Sequence, residues 1–162
     1  MVTRITTYDY EQSSEGGRER MVRMPYANLC DVTPTLHDPA MVVDSVLGSE
    51  LTGTVISLDA VDSIAVLNVA SGAVFRHNVR NVLTYTPAET TWRALNIGDT
   101  VYYDDSGIMP AYTKLSISPL DSAGNANPRF GWIVMIQDED SGDFAKGNAQ
   151  AGSTHACAVL QG

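Results

Sequence analysis

Lysine is almost missing from this chain. Lys114 and Lys146 are the only two in 162 residues, and ten basic residues face nineteen acids for a net charge of −9. Nucleic acid and anionic membrane both need clustered Lys and Arg, so neither is expected as a partner. Cysteine is as scarce. Cys30 and Cys157 lack any metal-ligand spacing, and two buried, reduced thiols are favoured over one disulfide. No run of about 18 apolar residues occurs, which excludes a membrane-spanning helix. No apolar stretch follows Arg4, so no secretory leader is expected.

Catalytic signatures are missing too. There is no Gly-x-Ser-x-Gly elbow, no Gly-x-x-x-x-Gly-Lys and no Gly-x-Gly-x-x-Gly. The three histidines, His37, His77 and His155, are scattered along the chain, and neither lysine stands beside a serine in a recognisable setting. His155, opening a terminal strand, reads as a surface or interface residue rather than a general base. Asp138-Glu139-Asp140-Ser141-Gly142-Asp143 packs carboxylates around a glycine. It lacks the alternating oxygen ligands and distant Glu of a calcium loop, and so reads as a solvated turn. No catalytic residue, metal or cofactor is expected.

What remains is a globular composition, 44% apolar and 18% charged. Residues 1–36 hold four arginines (Arg4, Arg18, Arg20, Arg23) against five acids, a Ser-Ser-Glu-Gly-Gly run, and little periodicity. They read as an extended N-terminal arm. Residues 37–162 carry the body. Short apolar runs at Ala40–Leu47, Leu51–Leu58, Ser63–Val69, Ala73–Phe75 and Val79–Tyr85 are split by turn residues. Val101–Tyr103, Ala111–Ile117, Phe130–Ile136 and Thr154–Leu160 continue the pattern. Ser63–Val69, apolar on both faces, reads as a central strand. Glu89–Leu95 is the one helical candidate, with Gly98 as terminator. The fold class expected is all-β, a small barrel or sandwich with short hairpins and at most one short helix. Loops 118–128 and 138–152 read as exposed, mobile excursions. Asp104-Asp105-Ser106-Gly107 reads as a hairpin turn. Trp92, Tyr102, Tyr103, Tyr112 and Trp132 read as core or oligomer-seam aromatics rather than a binding platform.

The string Ile97-Gly98-Asp99-Thr100-Val101-Tyr102-Tyr103-Asp104, the Gly131-Trp132 opening of an apolar strand and the Val159-Leu160 ending together resemble the bacteriophage capsid cement (head decoration) proteins. Leu51-Thr52-Gly53-Thr54-Val55 and Ala73-Val74-Phe75 fit earlier segments of that family, so the resemblance covers roughly 38–162. Tyr103 stands where the family often has Trp. The resemblance implies a homotrimeric β-barrel on the outer surface of a virion capsid. It would clamp neighbouring major capsid subunits and stabilise the head without catalysing a reaction. Arg4, Arg18, Arg20 and Arg23 would then be capsid contacts, and Trp92, Tyr102, Tyr103 and Trp132 trimer or core aromatics. A receptor- or glycan-binding β-module of a virion is the alternative, and a small hydrolase using His77 or His155 is a third.

Overall fold

The structure is a computed structural model, and it describes residues 11–12, 20–44, 49–85, 90–104, 114–121, 123–137 and 154–162. The chain divides into two units, Met1–Ala73 with Gln161, and Val74–Leu160 with Gly162. Both are built of strands. No α-helix occurs among the described residues, and none of their helices is long and apolar enough to cross a membrane.

The first unit is an antiparallel sheet of β1 (Glu11–Gln12), β2 (Arg20–Pro25), β3 (Pro39–Asp44), β4 (Ser49–Asp59) and β5 (Ile64–Asn68), in the order β1-β2-β5-β4-β3. The expected central strand is indeed in the middle: β5 is flanked by β2 and β4. Its Ile-Ala-Val-Leu run is apolar because a central strand has no solvated edge. β4 approaches β5 so closely at Gly53 that a Cβ there would lie 2.6 Å from the Asn68 carbonyl oxygen, so only glycine fits. The sheet also curls back on itself. After β2 the chain makes a single 3-10 turn at Tyr26–Asn28; then Cys30 N donates to Met41 O at 2.8 Å and Leu29 bridges Val42 on the far edge strand. The curl encloses Val22, Met24, Leu29, Ala40, Val42, Val55, Ala65 and Leu67. Met24, Val55 and Leu67, at most 1% exposed, each contribute roughly 1.5–3 kcal/mol by burial.

Residues 1–10 and 13–19 of the expected arm lie outside the described residues. From Arg20 onward the segment is sheet, because Val22 and Met24 alternate with Arg23 at the strand period and bury against β5.

The second unit comprises β6 (Val74–Arg80), β7 (Val82–Tyr85), β8 (Thr90–Trp92), β9 (Thr100–Tyr103), β10 (Leu115–Ser116), β11 (Arg129–Ile136) and β12 (Thr154–Gln161). Five of these close into a barrel in the order β10-β6-β12-β11-β9, and β7-β8 form a separate pair. Closure depends on β10, which pairs antiparallel with β9 and parallel with β6. Phe130, Ile133, Val101, Tyr103, Leu115, Val79, Cys157 and Val159 fill the interior, all at most 1% exposed. β12 alternates without fault, with His155, Cys157, Val159 and Gln161 buried.

Two expectations are corrected. Thr90–Trp92 of the helical candidate is strand β8, paired with β7. Two β-branched threonines and a tryptophan suit a strand, and a two-turn helix would have to bear the nucleation cost almost alone. The excursion at 118–128 is exposed but tied down. Asp121 Oδ1 accepts from the amides of Ala123 and Asn125, both at 2.8 Å, and Leu120 bridges Ala126. These bonds, first that from Asn125 N and then that from Ala123 N, hold the Asp121 carboxyl below the usual carboxylate range. The 138–152 loop, with its acidic cluster, and Asp105–Gly107 lie outside the described residues.

Candidate interaction surface

The Asn96–Asp99 turn that launches β9 is locked by a side-chain clasp. Gly98 sits at φ +93°, a conformation L side chains rarely adopt. Its amide donates to Ile133 O at 2.7 Å, and Asp99 O accepts from Ile133 N at 2.9 Å, so the turn is sewn to β11. Arg93 then grips the Asp99 carboxylate with both guanidinium nitrogens at 2.8 and 2.9 Å, while Asn96 N donates to it at 2.7 Å. The Gly-Asp pair is therefore a rigid start for the Val-Tyr-Tyr strand, and Arg93 is a partner that sequence spacing did not reveal.

Inside the barrel, His77 on β6 stands directly across from Cys157 on β12, and Val79 across from His155. The His77 ring meets Phe130 edge-on at 5.3 Å. Burial lowers the His77 pKa from 6.5 to about 4 and raises that of Cys157 to about 12, with the Asp99 carboxylate adding to the latter. At neutral pH both are uncharged, the opposite of the thiolate–imidazolium pair a cysteine nucleophile needs. His155, expected at the surface, is buried at 4% exposure because β12 alternation turns it inward with Cys157. Cys30 is only half-buried, and neither cysteine is in a disulfide. Among the described residues no group of three or more His, Cys, Asp or Glu is placed to hold a metal.

The outer face of β6, β12 and β11 has a different character. Outward residues of β6 (Val74, Arg76, Asn78, Arg80) register against Leu160, Ala158, Ala156 and Thr154 of β12. The small alanines leave room for Arg76 to cross β12 and donate to Gln137 Oε1 beyond β11. Trp132 lies against the end of β12, where a Cβ on Gly162 would collide with its ring. Arg129 covers the Trp132 ring at 4.6 Å, a cation–π contact. Val74, half of it solvent-exposed, completes an apolar strip of Val74, Leu160 and Trp132 rimmed by arginines.

Of the four arm arginines, Arg4 and Arg18 lie outside the described residues. Arg20 and Arg23 are exposed on β2 but three positions apart, so they take opposite faces of the strand. The aromatics separate as well. Tyr103 is core, Tyr102 and Trp132 are half-buried, and Trp92 on β8 is exposed. Tyr112 lies outside the described residues. No protein-family model, no curated protein and no solved structure matches this chain.

Proposed function

We propose that this chain is a capsid cement protein of a bacteriophage head, a homotrimer bound to the outer surface of the virion at junctions between major capsid subunits. One observation carries the proposal. Three of the five segments that resemble that family are consecutive neighbours in one closed barrel, while Leu51–Val55 lies in β4 of the first unit. Thr100–Tyr103 pairs with Arg129–Ile136, with Trp132 opposite Thr100 and Gly131 opposite Val101. The Val159-Leu160 ending then lies alongside β11. Segments more than 50 residues apart at their extremes thus lie side by side in one barrel, which supports reading them as parts of one pattern.

A structural role also fits the chemistry. The barrel interior offers a neutral His77, its ring edge-on to Phe130, and a neutral Cys157 across from it, not a charged nucleophile pair. Three contacts made at once across a junction turn modest affinities into avidity, and the exposed arginines suit carboxylates on the capsid. Exposed Trp92 is what favours the glycan-binding alternative, since a sugar ring stacks on such a face.

Light scattering of the purified protein, followed by co-sedimentation with undecorated heads, tests the proposal. A trimer of a 17.4 kDa chain that pellets saturably with heads is the expected result. A monomer that stays in the supernatant while binding an arrayed glycan would replace it with the alternative.

A further inference from the structure

The tip of the β4–β5 hairpin, Asp59–Ser63, carries the most exposed large apolar side chain described in the chain, Val61 at 93%. Docking it against another apolar surface would take that side chain out of water. The tip is also stiff. Asp59 Oδ1 accepts from the amides of Val61 at 3.0 Å and Asp62 at 3.1 Å, and Tyr26 N donates to Ser63 O at 2.9 Å. Ser63 is held at φ 54°. Val61 is thus presented in one conformation, which lowers the ordering cost of docking it. Asp59 and Asp62 flank it as exposed acids.

The second unit offers the converse surface. Its apolar strip of Val74, Leu160 and Trp132 is bordered by Arg76 and Arg129. The described acids of that unit are otherwise occupied: Asp99 is gripped by Arg93, Asp104 is 1% exposed, and Asp121 is folded into its own loop. The first unit, residues 1–73 with Gln161, holds ten acids and four bases in sequence, a net −6. An acidic knob with an apolar tip and an arginine-rimmed apolar strip therefore occur on the same chain.

We propose that the Val61 tip of one copy docks on the Val74–Leu160–Trp132 strip of a second copy, with Asp62 meeting Arg129. The contact is heterologous, two different patches of one chain, so its repetition builds a ring where the rotation closes and not an isologous two-fold dimer. Tryptophan and arginine at its centre are the residue types that dominate such interfaces. This assignment rests on the homo-oligomer part of the decoration proposal and specifies which surfaces build it.

The test is sedimentation velocity of the full chain over a concentration and salt series, with head co-sedimentation run in parallel. Val61→Asp places a charge on an exposed tip, so the fold is retained, checked by circular dichroism, and dissociation of the oligomer rises at least about tenfold. Arg129→Glu gives the same shift from the other side, and Asp62→Arg combined with Arg129→Glu restores association. Wild-type association weakens with salt. A Val61→Asp protein with wild-type mass across the series overturns the assignment, as does a monomeric wild type. If Val61→Asp keeps its mass but loses heads, the tip docks on capsid instead, and the second-copy assignment fails while decoration stands.

Discussion

Replacing Gln161 with alanine should open the first unit from its far end of sequence. Gln161 is 4% exposed, and its side-chain amide is fully engaged. Thr54 Oγ1 donates to its Oε1 at 2.6 Å, and its Nε2 donates to Asn68 O at 3.2 Å and Ala70 O at 3.1 Å. Its main chain closes the turn at Gly72 with two further bonds of 2.8 Å, which alanine preserves. The loss is therefore three buried side-chain hydrogen bonds at about 1 kcal/mol each, near 3 kcal/mol together. Against a total stability of about 5–15 kcal/mol that is a large fraction. Both tryptophans, Trp92 and Trp132, belong to the second unit, so indole fluorescence follows that unit while far-ultraviolet circular dichroism follows both. In urea, Gln161→Ala should shift the dichroism midpoint down by about 1–2 M. A double-mutant cycle with Thr54→Val should show coupling of at least about 1 kcal/mol. A shift worth less than about 0.5 kcal/mol, or strict additivity with Thr54→Val, would refute the network.

Acid should destabilise the barrel before its carboxylates titrate. His77 binds a proton at 6.5 when unfolded and only at about 4 when folded, so stability is complete above pH 6.5 and falls as pH drops through that window. The loss is about 3 kcal/mol, read from urea midpoints against pH, and His77→Leu should flatten the slope. The thiols should differ in kind. Cys30 reacts with Ellman's reagent in the native protein, whereas Cys157 reacts only at the unfolding rate, because its thiol is pushed up to about 12 and buried. Equal native labelling rates would contradict that placement. Gly53→Ala should cost roughly 1–3 kcal/mol, since the new methyl collides with the Asn68 backbone rather than with a movable side chain. A melting temperature unchanged from wild type would mean that β4 and β5 separate freely there.

The strand content was legible wherever alternation or a continuous apolar run left no other option. β5, β11 and β12 fall where Ser63–Val69, Phe130–Ile136 and Thr154–Leu160 read as strands. β2 was hidden because its alternation is short and interrupted by arginines among a polar, glycine-bearing segment. The Thr90–Trp92 strand was hidden by neighbours that favour helix. Side-chain partnerships were the least visible. Nothing local in the sequence joins Thr54 to Gln161, 107 residues away, and which face of β12 turns His155 inward is set by its register on β6. Gly98, read as the terminator of the expected helix, sits in a turn whose strength comes from Arg93, a residue inside that expected helix.

The position of β12 sets the order of events during synthesis. It is the last strand in the chain, yet it lies between β6 and β11 in the barrel, and its Gln161 completes the hydrogen bonding of the first unit. Neither unit can reach its final form until residue 161 has been made. Through that interval β6 and β11 each present an unpaired edge, the kind of surface on which nascent chains exchange strands or aggregate. Contacts as distant as Leu115 with Val79 also make closure slow relative to local hairpins. The yield of folded protein is thus governed by how quickly residues 154–161 find the gap left for them.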